Sequence, residues 1–368
     1  MFAPRSVQMT VYNFNAGPAI LPPSVLSQAQ EELRDFAGTG ISVMETSHRA
    51  KEFEAVNNEV EARFKALLGI ESGYRVLLLQ GGASTQFAMI PMNFLGADQV
   101  ADYIITGTWA EKARDEAQKI GKVHIAATTE AENHNRIPSQ TELQFSENPV
   151  YVHLTTNNTI YGTQWQSTPE TNGVPIVADM SSDIFSRPFD ASKFGLVYAG
   201  AQKNLGPSGV TVVLIREDWL DKGAKNVPTM LRYSTHAKNN SLYNTPPTFG
   251  VYMLNLVLAW IQEQGGLAGM AEYNTRKANV VYNAIDNSGG FYRGHAVADS
   301  RSQMNVTFNL PTQELEKQFL AEAKAQGMIG LPGHRSVGGV RASIYNAMSI
   351  EGVEALASFM AHFAAKQG

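Results

Sequence analysis

The sequence predicts an α/β fold, with a mostly parallel central sheet flanked by helices and a smaller α+β domain at the C-terminal end. Three observations predict it. Short apolar segments of strand length recur through the middle of the chain, helical segments separate several of them, and the Gly265–Gly266 break divides this alternation from a closing stretch rich in long helices. At 368 residues the chain is longer than one hydrophobic core usually fills, so at least two packed units are expected.

After an extended opening, Pro22, Pro23 and Ser24 lead into a helix in which Val25, Leu26, Ala29, Leu33 and Phe36 repeat at helical spacing. A second helix is predicted over Lys51 to Leu68, with Phe53, Val56, Val60, Phe64 and Leu67 on its apolar side; Gly69 ends it. Strands are predicted at 75–79, 101–105, 123–126, 150–154, 175–178, 196–199 and 210–215, with helices at 83–94 and 109–120 among them. The segment 210–215 follows its predecessor so closely that it is the candidate for an antiparallel strand. An apolar helix near 248–263, a long helix around 267–287, a strand at 304–310, a helix near 312–326 and an amphipathic helix around 350–365 complete the chain. The larger domain is expected at 17–265 and the smaller at 266–368, joined by the segment 1–16.

Composition narrows the chemistry. A hydrophobic share of 43% and a charged share of 17% fit a compact globular enzyme and exclude a disordered chain. The absence of cysteine removes disulfides, zinc–thiolate sites, iron–sulfur clusters and a catalytic thiol together. Twenty-nine Lys and Arg against 34 Asp and Glu give a formal charge of -5, which offers nucleic acid or acidic lipid no general attraction. No nucleic-acid or membrane partner is expected, so any anion needs a local site. No run is apolar enough for long enough to span a bilayer, and MFAPRSVQMTVYNFNAG lacks an apolar signal-peptide centre. A cytoplasmic location is the expectation.

The most informative segment is YAGAQKNLGPSG, Tyr198 to Gly209. Lys203 follows a short buried strand among small residues, where an ammonium is costly to bury unless its protonation is altered. Schiff-base chemistry would explain such an amine; a surface turn lysine is the alternative. Asp179 ends the strand-like VPIVA, where carboxyl ends of parallel strands form the usual ligand crevice, and could pair with a pyridine nitrogen or simply cap the following turn. QGGAST, Gln80 to Thr85, follows a strand and opens a helix; Ala83, Ser84 and the backbone amides suit a phosphate, or else a well-capped helix. The segment lacks both the Walker spacing and the GxGxxG fingerprint. Trp109 could stack on a planar cofactor or belong to the core, and Thr159 could bond a cofactor oxygen or stabilise an Asn-rich turn. Together, an amine, a carboxylate, an anion nest and an aromatic at strand ends favour a cofactor enzyme.

Cationic groups point to an acidic substrate. His48 and Arg49 precede the second helix, and His334, Arg335 and Arg341 lie in LPGHRSVGGVRAS. Arginine holds carboxylate bidentately and recognises phosphate, whereas surface ion pairs would be the plain explanation of each residue alone.

With these segments in view, the chain resembles the phosphoserine aminotransferase family, pyridoxal-phosphate enzymes of fold type I. The resemblance runs from NFNAGPAILP at 13–22 through TSHRAKEF at 46–53, GGASTQFAMIPMN at 81–93, GTWAEKA at 107–113, TTNNTIYGTQW at 155–165, ADMSSDIFSRP at 178–188, YAGAQKNLGPSG at 198–209 and YNTPPTF at 243–249 to GHRSVGGVRASIYNA at 333–347. It implies one pyridoxal 5'-phosphate per subunit, bound covalently by Lys203, with Asp179 on the pyridine nitrogen, Trp109 stacked on the ring and Thr159 near its hydroxyl. Ala83, Ser84 and Gln202 are implied in the phosphate cup, completed by Asn244 and Thr245 of the other subunit of a homodimer. Arg341 is implied as the α-carboxylate clamp, and His48, Arg49, His334 and Arg335 as the site for the distal phosphate or carboxylate. Some members of the family carry Gly-Arg where this chain has Ala83-Ser84, so one arginine near the cofactor is absent here.

The implied reaction is amino transfer between L-glutamate and 3-phosphooxypyruvate in serine biosynthesis; 4-phosphohydroxy-L-threonine, of pyridoxine biosynthesis, is left open as a further substrate. A transaminase for alanine or serine with glyoxylate would leave the two His-Arg pairs poorly used. A cysteine desulfurase lacks its cysteine, a P-loop protein its lysine, and a noncatalytic module would leave Lys203 without a task.

Overall fold

The computed structural model describes residues 10–367. Strand β1 (Tyr12–Asn13) precedes helices α1 (Pro23–Glu32) and α2 (Lys51–Leu68). Then come β2 (Tyr74–Leu79), α3 (Gly82–Phe94), β3 (Val100–Ile105), α4 (Thr108–Ala117), β4 (Lys122–Thr128) and β5 (Val152–Thr155). A short ladder of β6 (Asn157–Asn158) with β7 (Thr163–Gln164) leads to β8 (Ile176–Asp179), β9 (Phe194–Gly200) and β10 (Thr211–Arg216). Short helices α5 (Glu217–Lys222) and α6 (Tyr233–Lys238) precede α7 (Thr248–Glu263) and α8 (Gly266–Asp286). The chain closes with β11 (Arg293–Gly294), β12 (Asn305–Asn309), α9 (Gln313–Ala325), β13 (Met328–Ile329), β14 (Val340–Ser343) and α10 (Ile350–Gln367).

Seven strands form the main sheet in the order β2-β10-β9-β8-β5-β3-β4. β10 runs antiparallel to both neighbours, as its position after β9 suggested. The cause is local: residues 201–210 are too few for the crossover of about a dozen residues that a parallel partner needs. The other six strands point one way, so their carboxyl ends share one edge.

Alternation along the strands divides the side chains between two faces. In β9 and β10, Val197, Ala199, Val212 and Leu214 face one core, while Leu196, Tyr198, Val213 and Ile215 face the other. α2 and α7 cover the first face with Phe53, Val60 and Phe64 against Val251, Leu254 and Leu258. α3 and α4 cover the second with Phe87, Ile90, Ala110 and Ala113. Each large apolar side chain so enclosed contributes about 1.5–3 kcal/mol. α2 forms where its sequence pattern indicates: Glu52 and Glu54 complement its positive end, and Gly69 at φ +65° terminates it.

A second core gathers Val281, Ile285, Val306, Phe308, Phe319 and Phe359 around the antiparallel sheet β11-β12-β14. β1 pairs in parallel with β13, and Phe14 is wholly buried in this core. α8 serves both units, with Leu267 and Met270 in the first core and Ala278, Val281 and Ile285 in the second. Residues 1–9 of the segment expected to join this unit lie outside the described residues. Among the described residues, no helix is long and apolar enough to cross a membrane.

Candidate active site

The carboxyl edge of the sheet carries Gln80 after β2, Thr106 and Gly107 after β3, Thr156 after β5, Asp179 at the end of β8 and Gln202–Lys203 after β9. The hairpin β6–β7 turns back over this edge and presents Thr159 at its tip. The Asn-rich turn is therefore also the element that presents the candidate Thr159. Asn158 Nδ2 donates to Thr106 Oγ1 at 3.1 Å and to Thr163 Oγ1 at 3.0 Å, which locks the hairpin to the start of α4.

Lys203 and Arg341 both bind Thr159. The Lys203 amine donates to Thr159 Oγ1 at 2.8 Å, and an Arg341 guanidinium nitrogen donates to the Thr159 carbonyl at 3.3 Å. Arg341 comes from β14 of the second unit, so the site is built where the two cores meet. Burial lowers the Lys203 pKa to about 8; the charge of Arg341 acts in the same direction, and that of Asp179 opposes it. Burial pushes the Asp179 carboxyl up, against the charge of Lys203 and the Ser181 N–H that Asp179 Oδ1 accepts at 2.9 Å. Burial also lowers Arg341, whose Nε is enclosed without a hydrogen-bond partner among the described residues. An amine of reduced proton affinity, a buried carboxylate and an underused guanidinium thus share one cleft.

Gly81 and Gly82 take φ of +92° and +66°, so the chain turns sharply from β2 into α3 and leaves first-turn amides open. A Cβ on Gly81 would lie 2.0 Å from Thr85 Oγ1. Ala83 is half-buried and Ser84 exposed beside these amides. The Trp109 ring has the Lys203 amine 5.9 Å and the Lys112 amine 4.8 Å from its centroid, and its indole N–H is buried without a partner. Gln202 accepts the Ala19 N–H through its carbonyl at 2.8 Å, which brings the opening segment against the lysine turn.

The further cations divide into two groups. Burial lowers His334, and the charges of Arg341, Arg335 and Lys112 lower it further, so these cations share a neighbourhood with it. His48 has a buried Nε2 without a hydrogen-bond partner among the described residues, and Arg49 is exposed. Among the described residues no hydrogen bond joins His48 or Arg49 to His334 or Arg335 within one chain. The Asn244 side chain donates to the Thr245 carbonyl at 3.2 Å, and Gln80 Nε2 reaches that same carbonyl at 3.5 Å.

Two participants were not foreseen. Lys112 lies three residues after Trp109, the helical spacing that places two side chains on one face. Gly17 sits against the lysine turn, where an added Cβ would be 3.5 Å from Lys203 Cγ. The first had a periodicity signal; the second depends on a contact between distant segments.

This architecture is that of the pyridoxal-phosphate-dependent aminotransferases of fold type I. The aminotransferase class-V family model matches residues 11–356. A phosphoserine aminotransferase of Niallia circulans is 59% identical over 97% of this chain and 99% of its own length. The solved phosphoserine aminotransferase of Bacillus circulans subsp. alkalophilus superposes with a TM-score of 0.96 at 59% identity, covering 98% of this chain and 99% of that one. A pyridoxal-phosphate-bound phosphoserine aminotransferase from Trichomonas vaginalis gives 0.91 at 37% identity, covering 96% and 100%. The chain belongs to the class-V aminotransferases and, within them, to the phosphoserine aminotransferase family. It is an enzyme, and pyridoxal phosphate is its implied cofactor. The residues present fit that group: an amine of lowered pKa for the aldehyde, a buried carboxylate for a cationic ring nitrogen, and open amides at the start of α3 for the phosphate.

Proposed function

We propose that the protein catalyses reversible amino transfer between L-glutamate and 3-phosphooxypyruvate, giving 2-oxoglutarate and O-phospho-L-serine, in the cytoplasm. The observation that carries this reading is the meeting of Lys203 and Arg341 on Thr159, beside a separate cluster of cations around His334. One site must place an α-amino acid against an amine while holding a second anion further out, which suits both glutamate and O-phosphoserine.

Pyridoxal phosphate, when bound, takes up the amino group and delocalises the negative charge left on the substrate's α-carbon. Lys203 would hold the cofactor covalently through its aldehyde and, when the substrate amine takes its place, its neutral amine would carry the proton from the substrate's α-carbon to the former aldehyde carbon. Asp179 favours the protonated ring nitrogen, because a buried carboxylate gains most from an adjacent positive charge. Trp109 would supply an aromatic face for the cofactor, and Thr159 holds the amine of Lys203. Ala83, Ser84, Gln202 and the amides of the Gly81 turn bind the phosphate, with the partner subunit's Asn244 and Thr245 completing the cup in a homodimer with one cofactor per subunit. Arg341 clamps the α-carboxylate. His334, Arg335 and Lys112 receive the distal anion, with His48 and Arg49 completing that site.

The test is the half-reaction with glutamate, O-phosphoserine, phosphohydroxythreonine and alanine, followed by the cofactor's absorbance. Glutamate and O-phosphoserine are expected to react far faster than alanine. Equal rates with alanine would remove the role of the distal cations and return the reaction to a general small-substrate transaminase.

A further inference from the structure

Between the two cores lies a group of buried polar side chains that the reaction does not use. Asn204, next to Lys203, donates through Nδ2 to the carbonyls of Ile184 at 3.2 Å and Ser182 at 3.4 Å. Its Oδ1 accepts the backbone N–H of Asn346 at 3.0 Å. Asn346 in turn donates to the Phe185 carbonyl at 3.0 Å and accepts from Asn274 Nδ2 at 2.8 Å. Asn274 also reaches the Ser186 carbonyl at 2.9 Å. One helical turn on, Lys277 is completely buried, with no carboxylate partner among the described residues. Its ammonium donates to three successive carbonyls, of Ile344 at 3.0 Å, Tyr345 at 2.6 Å and Asn346 at 3.4 Å, and stands 4.8 Å from the centre of the Tyr273 ring.

Burying an unpaired ammonium costs free energy, so its retention needs a gain elsewhere. Here the gain is geometric. The carbonyls of residues 344–346 turn the same way at a bend after β14, and a single cation satisfies all three. This bend follows Arg341 by only a few residues, the turn 182–186 follows Asp179, and Asn204 follows Lys203. Each segment that brings a candidate reacting or binding group into the cleft is therefore fastened to the other two a few residues further on. α8 carries both Asn274 and Lys277, and its two halves belong to different cores.

We propose that Asn346, held in place by Asn274 and Lys277 and bonded to Asn204, is a positioning residue that sets the placement of Arg341 relative to Lys203. The proposal rests on the transaminase reading above. A substrate held by Arg341 must present its α-carbon to the amine of Lys203, and misplacement by about 1 Å can cost on the order of a hundredfold in rate. Loosening the cluster leaves the clamp itself intact, so binding survives better than proton transfer.

The experiment compares wild type with Asn346→Ala, Lys277→Met and the milder Asn274→Ala, which remains informative where either of the others fails to fold. In the holoenzyme, kcat for the glutamate half-reaction per bound cofactor is expected to fall about tenfold or more, with KM changing less than about threefold. In the cofactor-free protein, reductive methylation with formaldehyde and cyanoborohydride, followed by peptide mapping, reads Lys203 directly. Water admitted at Asn204 relieves the burial that lowers Lys203, so its midpoint of labelling is expected to move upward. Folded variants with wild-type kcat and an unshifted Lys203 midpoint, even with lowered melting temperatures, would leave the cluster a structural filler and overturn the proposal. A wild-type holoenzyme with no cofactor on Lys203 would instead overturn the transaminase reading on which it rests.

Discussion

Lys203 and Arg341 are bound to the two ends of one residue: the amine to the hydroxyl of Thr159, the guanidinium to its carbonyl. They come from different hydrophobic units, so the tip of a hairpin in the larger unit sets their relation. In the proposed clamp role of Arg341, an arriving substrate's α-carboxylate would compete with the Thr159 carbonyl for it. Such an exchange would be favourable because a carboxylate forms a charge-assisted, bidentate pair where the carbonyl offers one neutral acceptor.

The lowered pKa of Lys203 gives its reactivity a definite pH dependence. Only the neutral amine attacks an aldehyde, so below about 8 the rate of cofactor capture by the cofactor-free protein should rise close to tenfold per pH unit, then level off above it. For folding the sign follows from the same shift. The unfolded lysine holds its proton to higher pH, so this residue's destabilising contribution is full below about 8 and is relieved as pH rises toward the unfolded value. Stopped-flow capture rates between pH 6 and 10 check the first part, and Lys203→Ala should abolish the borohydride-reducible adduct. A modified lysine elsewhere in the peptide map would refute the assignment.

Asp179 should trade stability against function. Burial raises its pKa, so the ionised carboxylate costs the cofactor-free fold free energy at neutral pH, and the cost is relieved as pH falls through the raised value. Asp179→Asn should therefore leave the urea midpoint of the cofactor-free protein unchanged or higher at pH 7. The glutamate half-reaction should slow by roughly two orders of magnitude, corresponding to about 3 kcal/mol for a lost buried charge pair. A variant that loses stability but keeps its rate would assign Asp179 to the turn at Ser181 alone.

Arg341 and Arg335 should separate by substrate. Every amino acid carries an α-carboxylate, so Arg341→Ala should weaken glutamate, O-phosphoserine and alanine alike, by about 2–5 kcal/mol when the substrate anion is left unpaired. Arg335 is exposed and lies near His334, so Arg335→Ala should impair the two substrates with a distal anion and spare alanine. Single-turnover rates for the three substrates decide between these patterns.

The turn into α3 tests whether backbone builds the phosphate cup. Gly81→Ala places a Cβ 2.0 Å from Thr85 Oγ1 at a φ of +92°, a strained position with no room. The cofactor-free protein should bind pyridoxal phosphate about 5- to 150-fold more weakly, for a backbone displacement costing about 1–3 kcal/mol. Titration by tryptophan fluorescence measures this, and unchanged affinity would mean that side chains such as Ser84 carry the phosphate.

Much of this was legible in the chain because the signals are local. Alternation in β9 and β10, the glycines before α3 and the small residues around Lys203 each reflect a constraint felt within a few residues. The short connection 201–210 even fixes the direction of β10. What escaped the sequence is what distant segments do to one another. Lys277 reads as one more helical lysine until α8 is packed beneath the bend at 344–346, and nothing near Gly17 announces that it borders Lys203. The lowered proton affinity of Lys203 comes first from burial, and Arg341, which arrives from the other core, adds to it.

Asn244 and Thr245 decide whether the site belongs to one chain or two. Within a chain, the Thr245 carbonyl lies 3.5 Å from Gln80 Nε2, so an intrachain cup has a contact in its favour. Against it, the Asn244 amide is turned onto the Thr245 carbonyl, and the Thr245 residue is exposed, as suits a loop awaiting another surface. Mixing Lys203→Ala subunits with Asn244→Ala/Thr245→Ala subunits separates the two arrangements. If the loop acts across a dimer interface, one site of the mixed dimer receives both defects and the other neither, so up to one intact site per mixed dimer should return. If the loop acts within its own chain, each site keeps one defect and activity stays at the level of the parents. Confirmed subunit exchange without recovery would therefore confine the phosphate cup to a single chain, leaving Lys203, Asp179 and Arg341 in their roles but removing the need for a partner to complete them.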